Sequence, residues 1–180
     1  MTTIYIVRHC KAEGQAADAP LTGLGMNQAR QLVDFFSDKQ VDYMVSSPFV
    51  RAYRTIAPLA ESLGMDMVLD DRLQERILSG HHHPEWRDML RRTYDEPDLC
   101  FEGGESSRAA TSRIVGVVTD ILAGKYANAV LVSHGNLISL LLNYYDSRFG
   151  FKEWEALSNP DVFQLTFAHG TPALTRLWKD

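Results

Sequence analysis

The chain has 180 residues, 45% hydrophobic and 23% charged, so it can build one sizeable core and a largely disordered state is excluded. Eighteen Lys and Arg against 23 Asp and Glu leave a net charge of −5, without the basic surface that general nucleic-acid binding needs. Cys10 and Cys100 cannot form a disulfide framework, and the amino terminus lacks the basic start and long apolar run of a signal peptide. No apolar run is long enough for a bilayer, so a cytoplasmic protein with no nucleic-acid or membrane partner is expected.

Taken in chain order, residues 4–7 form a short, continuously apolar run, as in a strand buried on both faces of a parallel sheet. The run ends abruptly in Arg8-His9. After the loop chemistry of residues 20–25, Met26, Ala29, Val33 and Phe36 fall at helical spacing. Residues 42–46 read as a second strand. Ser47-Pro48 breaks it and opens a helix from about residue 49 to 63, stopped by Gly64. Residues 65–69 are a weak third strand. Residues 70–105 are irregular, with three consecutive histidines (His81, His82, His83) and a short helix near residues 85–92. A helix beginning after residues 102–106 shows Ala110, Ile114, Val117 and Ile121 on one face, and Gly124 ends it. Residues 129–132 are the clearest buried strand, followed by Ser133-His134-Gly135 and a helix over residues 137–144. Residues 162–168 and 173–178 read as a late hairpin at a sheet edge, turning through residues 169–172. Alternating strands and helices predict an α/β domain over residues 1–180. Its sheet is mostly parallel, with helices on both faces and an antiparallel strand at the edge.

Ligands of open parallel sheets bind outside the carboxyl ends of the strands. The residues at those ends are Arg8 and His9, Ser47 to Arg51, Glu75 and Arg76, and His134. Two histidines, three arginines and a carboxylate therefore collect at one edge.

These segments resemble the histidine phosphatase superfamily, also called the phosphoglycerate mutase-like family. The resemblance rests on Val7-Arg8-His9, on Leu21-Thr22 with Gly25, and on Ser46-Ser47-Pro48-Phe49-Val50-Arg51-Ala52 with Thr55. Glu75, Gly104-Glu105-Ser106 and Val132-Ser133-His134-Gly135 complete it. It implies catalysis by His9, Arg8, Arg51, His134 and Glu75. His9 is then the nucleophile, kept neutral by its arginine neighbours. Arg8, Arg51 and His134 bind the phosphoryl oxygens, and Glu75 is the proton donor and acceptor. No cofactor and no metal are implied, because the arginines and histidines supply the positive charge.

The chain departs from the pattern at Cys10, where the family has Gly or Ala. Its thiol is either a small packed group or, beside a cationic pocket, an oxidisable one. Gln15 stands where many members place an Asn on phosphate. Thr22 either lines the pocket or caps the following helix. Arg91 and Arg92, in a stretch similar to a substrate-binding segment of the mutases, are expected to bind a second anionic group; a solvated basic face is the other reading. The three histidines are a solvated loop or the rim of the substrate pocket, and His169 is structural. Residues 76–105 are expected to be a lid that sets specificity. The implied activity is hydrolysis of a small phosphorylated metabolite by a monomer or homodimer. A cofactor-dependent phosphoglycerate mutase and a catalytically silent phospho-ligand binding module are the competing readings.

Overall fold

A computed structural model of the protein describes residues 1–169 and 171–178. Its elements, in order, are β1 (Thr2–Arg8), α1 (Gly23–Phe35), β2 (Tyr43–Ser46), α2 (Val50–Leu63), β3 (Val68–Leu69) and α3 (Trp86–Asp95). There follow α4 (Ser107–Ala123), β4 (Asn128–Ser133), α5 (Gly135–Tyr145), α6 (Phe151–Glu155), β5 (Asp161–Phe167) and β6 (Ala173–Arg176). The six strands form one sheet in the order β3-β2-β4-β1-β5-β6. β3, β2, β4 and β1 run parallel, whereas β5 is antiparallel to both β1 and β6. The expected late hairpin at the sheet edge is formed by β5 and β6. Of the turn expected over residues 169–172, Gly170 lies outside the described residues.

The apolar strands are buried because each feeds both faces of the sheet. Ile4, Ile6, Ala129 and Leu131 pack with Ile114, Ile121, Ile138 and Leu141 of α4 and α5. Their neighbours Tyr5, Val7, Val130 and Val132 point the other way, onto Leu32 and Phe36 beside Ile56 and Leu59 of α2. Each buried Leu or Ile contributes about 1.5–3 kcal/mol, so the central strands anchor the molecule. Local chemistry sets the helix ends. Ser106 caps α4 by accepting from the Ala109 N–H, and Gly64 closes α2 in the left-handed region at φ 60°.

This architecture brings the carboxyl ends of β1, β2 and β4 level. Arg8 pairs with Ser133, and Ser46 with Val132. Two bonds continue the ladder past the strands: His9 N–H donates to the Ser133 carbonyl (3.1 Å), and Ser47 N–H to the Val132 carbonyl (2.9 Å). His9, Ser47 and His134 are therefore neighbours before any side chain is considered.

Candidate active site

His9 follows β1 and is 7% exposed. Its Nδ1 lies 2.7 Å from the Cys10 carbonyl oxygen, which can only accept, so Nδ1 carries the hydrogen. The lone pair is then on Nε2, available for attack. Burial lowers the His9 pKa to about 4, and the positive charges of Arg8 and Arg51 push the same way. The imidazole is neutral at neutral pH.

His134 follows β4 and is fully buried, with its ring centroid 5.3 Å from that of His9. Burial first, then the charges of His9, Arg51 and Arg8, hold its pKa well below the ordinary histidine value. Its Nε2 lies 2.8 Å from the Ser47 hydroxyl oxygen. That oxygen already accepts from the Phe49 N–H (3.2 Å), so its own hydrogen is free to point at Nε2. A neutral His134 that accepts at Nε2 carries its hydrogen on Nδ1, and Nδ1 is buried without a partner.

The two arginines repeat this pattern. Arg8 Nη1 donates to the Leu157 carbonyl (3.1 Å), and Arg51 Nη1 to the Ala16 carbonyl (2.8 Å), which fixes each fork. The Nε of each is buried without a partner. Burial lowers the pKa of both guanidinium groups, and the charge of Glu75 partly offsets this in each. Gly135 leaves room for Arg8, since a Cβ there would sit 2.8 Å from the guanidinium Nε. Two buried guanidinium N–H groups, on Arg8 and Arg51, thus lack an acceptor, and His134 Nδ1 is a third buried nitrogen without a partner. Unpaired buried donors each cost about 1–3 kcal/mol, which a multivalent oxyanion would relieve.

Glu75 lies just past a short 3-10 turn (Asp71–Leu73) and meets the amino terminus of α5. Its Oε1 accepts from the N–H groups of Arg76 (2.8 Å) and Leu137 (2.9 Å), and its Oε2 from Asn136 N–H (3.1 Å). Arg113 of α4 holds this segment from behind, donating to the Arg72 and Gln74 carbonyls (2.6 and 2.7 Å).

A cavity of about 560 Å³ opens over Arg51 and Glu75, walled by Phe49, Leu78, Trp86 and the three histidines. Gln15 lines it, and its carbonyl accepts from Arg51 Nη1 (3.2 Å). The structure also places Thr22, Arg91, Arg92 and Cys10, each of which had two readings. Thr22 is outside the cavity lining; its hydroxyl caps α1, accepting from the Gly25 N–H (2.9 Å). Arg91 and Arg92 are also outside it. Each turns to solvent and pairs on its own helix face, Arg91 with Asp88 and Arg92 with Glu96 beyond the helix end, because α3 presents its arginines away from the cleft. Cys10 is fully buried in the core, and burial pushes its thiol up to about 12, so it is a packed group rather than a reactive thiolate. Among the described residues, no three His, Cys, Asp or Glu side chains cluster as metal ligands. Sequence reasoning quoted Ser47 and Phe49 without giving either a role. The Ser-Pro break after β2 was the available signal, since it fixes a hydroxyl at a strand's carboxyl end.

Residues 4–180 match the family model of the histidine phosphatase superfamily, branch 1. The chain belongs to that superfamily. This histidine phosphatase is 28% identical over 155 residues to phosphoserine phosphatase 1 of Hydrogenobacter thermophilus, covering 74% of this chain and 71% of that one. It is 27% identical over 161 residues to a Proteus mirabilis protein named "Probable phosphoglycerate mutase GpmB", covering 79% and 74%. Its fold matches a mycobacterial glucosyl-3-phosphoglycerate phosphatase solved with inorganic phosphate. The TM-score is 0.77 and the identity 25%, over 99% of this chain and 96% of that one.

Proposed function

We propose that this histidine phosphatase hydrolyses small phosphomonoesters in the cytoplasm through a phosphohistidine on His9, without a metal. The observation that carries the reading is the set of three unpartnered buried nitrogens, on Arg8, Arg51 and His134, beside a neutral imidazole whose lone pair is on Nε2. His9 Nε2 forms a bond to phosphorus as the bond to the leaving oxygen breaks in line. Arg8, Arg51 and His134 Nδ1–H receive the phosphoryl oxygens, and Gln15 borders the same space. Donors fixed in this way are worth roughly 3–4 kcal/mol each. Glu75, protonated at this step, gives its proton to the departing alkoxide. It then takes one from the water that attacks the phosphohistidine, so inorganic phosphate leaves and His9 is regenerated. The segment 76–105 supplies one wall of the cavity and acts as the lid.

A mutase must hold a doubly phosphorylated intermediate and exclude water, which calls for cationic groups beyond the phosphoryl clamp. Arg91 and Arg92 do not provide them, because both face solvent in ion pairs. The test is inorganic phosphate release from a phosphomonoester panel against interconversion of 2- and 3-phosphoglycerate primed with bisphosphoglycerate. Phosphate release should dominate and be unaffected by a chelator. Rapid primed isomerisation with negligible release would make the enzyme a mutase.

A further inference from the structure

The cavity beyond the phosphoryl clamp is poor in usable charge. It is lined by two arginines, three histidines and no lysine. Arg51 is 1% exposed and belongs to the clamp. Arg76 is 6% exposed, and every nitrogen of its guanidinium is engaged. Nε and Nη2 donate to the Glu105 carbonyl (3.3 and 3.0 Å), and Nη1 faces the side-chain oxygens of Thr93, Ser107 and Asn136. Glu75 is the one carboxylate of the lining. The Phe49 ring sits 5.1 Å from the His134 ring and 5.2 Å from the Arg51 guanidinium carbon, centroid to centroid and centroid to carbon. The first atoms beyond a bound phosphoryl group therefore meet an aromatic side chain. The same cavity is also lined by Ile77, Leu78 and Trp86, the last 41% exposed.

A carboxylate brought into this space would lose water and find no free guanidinium N–H, since those of Arg76 are already donated to protein oxygens and the imidazoles of His81, His82 and His83 are uncharged when deprotonated. A ring or other apolar group would bury area against Phe49, Leu78 and Trp86. We propose that the leaving group selected by this cleft is an uncharged alcohol carrying an aromatic or apolar group, rather than the carboxylate-bearing alcohol of phosphoserine or phosphoglycerate. The inference rests on the hydrolase reading above and narrows its substrate class. Trp86 is then a specificity-determining residue.

The test compares kcat/KM for 2-phenylethyl phosphate with that for phosphoserine and 3-phosphoglycerate at about pH 8, where free imidazole is neutral. The phenylethyl alcohol is the poorer leaving group, so intrinsic reactivity works against the proposal. A preference of at least about tenfold for the phenylethyl ester is expected, equivalent to burying part of one ring. Trp86→Ala should erase most of it through KM, and Trp86→Phe should retain it, while Arg91→Ala leaves the preference unchanged. Equal or better turnover of the carboxylate-bearing esters, or a preference indifferent to Trp86→Ala, would overturn the substrate class and leave the hydrolase reading intact. No turnover of any ester, nitrophenyl phosphate included, would overturn both.

Discussion

The Ser47 hydroxyl has a single hydrogen, and the Phe49 N–H already donates to its oxygen. The proposed mechanism needs that hydroxyl to donate to His134 Nε2, 2.8 Å away, which leaves the histidine's own hydrogen on Nδ1, a nitrogen buried without a partner. Ser47 is therefore a positioning residue: it acts on phosphate only through His134. Ser47→Ala should lower kcat roughly a hundredfold, the scale of losing one oriented oxyanion donor. Nitrogen-15 spectra of the His134 ring should show the Nδ1–H form in the native protein and a mixture with the Nε2–H form in the variant. Ser47→Thr, which keeps the hydroxyl, should recover the native pattern. A Ser47→Ala protein with native kcat and an unchanged His134 spectrum would make Ser47 a packing residue only.

At the level of elements, the segment bearing the cavity wall is held by close backbone crossings. The Glu105 N–H donates to the Ile77 carbonyl (2.9 Å) and the Gly80 N–H to the Glu102 carbonyl (2.8 Å). A Cβ on Gly104 would lie 2.1 Å from the Leu78 carbonyl oxygen, so one strand of this crossing has to be glycine. Gly104→Ala should lower stability by about 1–3 kcal/mol, the usual cost of forced overpacking. It should also displace the wall at Leu78 and reduce kcat/KM. Urea unfolding midpoints and steady-state kinetics check both, and a midpoint equal to the native one would contradict the crossing. The other elements were legible in proportion to how much apolar surface they bury. β1 and β4 stand out in the sequence because neighbouring residues face opposite layers, so apolarity is continuous rather than alternating. β3 shrinks to two exposed residues, held by pairing with β2 alone, and its pattern is correspondingly faint. α6 went unseen: five residues with none buried leave no periodicity to read.

For the molecule as a whole, two buried neutral histidines tie stability to pH. His9 takes up its proton near pH 4 when folded and near the ordinary value of about 6.5 when unfolded. Between these values the unfolded chain binds more protons, so stability falls as pH falls from about 6.5 toward 4. His9 alone accounts for about 3 kcal/mol over the full window, and His134 acts in the same direction. Melting temperature should drop between about pH 7.5 and pH 5, a range above most carboxylate titration. The drop should be smaller in His9→Asn and smaller with phosphate bound, since its charge offsets that of Arg8 and Arg51. A flat profile, or one unchanged by His9→Asn, would contradict the buried neutral imidazoles. The gathering of Arg8, His9, Arg51, Glu75 and His134 at one sheet edge was legible because topology alone delivers it. What was not legible is orientation. Nothing in the spacing of Arg91 and Arg92 says that α3 turns them to solvent, and nothing in Thr22 chooses cap over pocket until the Gly25 N–H is in place. The central claim is the nucleophilic role of His9. Rapid quench with substrate labelled in the phosphoryl group tests it most directly. Acid-labile, base-stable label should appear on the native protein before phosphate release is complete and be absent from His9→Ala. A His9→Ala enzyme that retains native turnover, or label that survives acid, would contradict it.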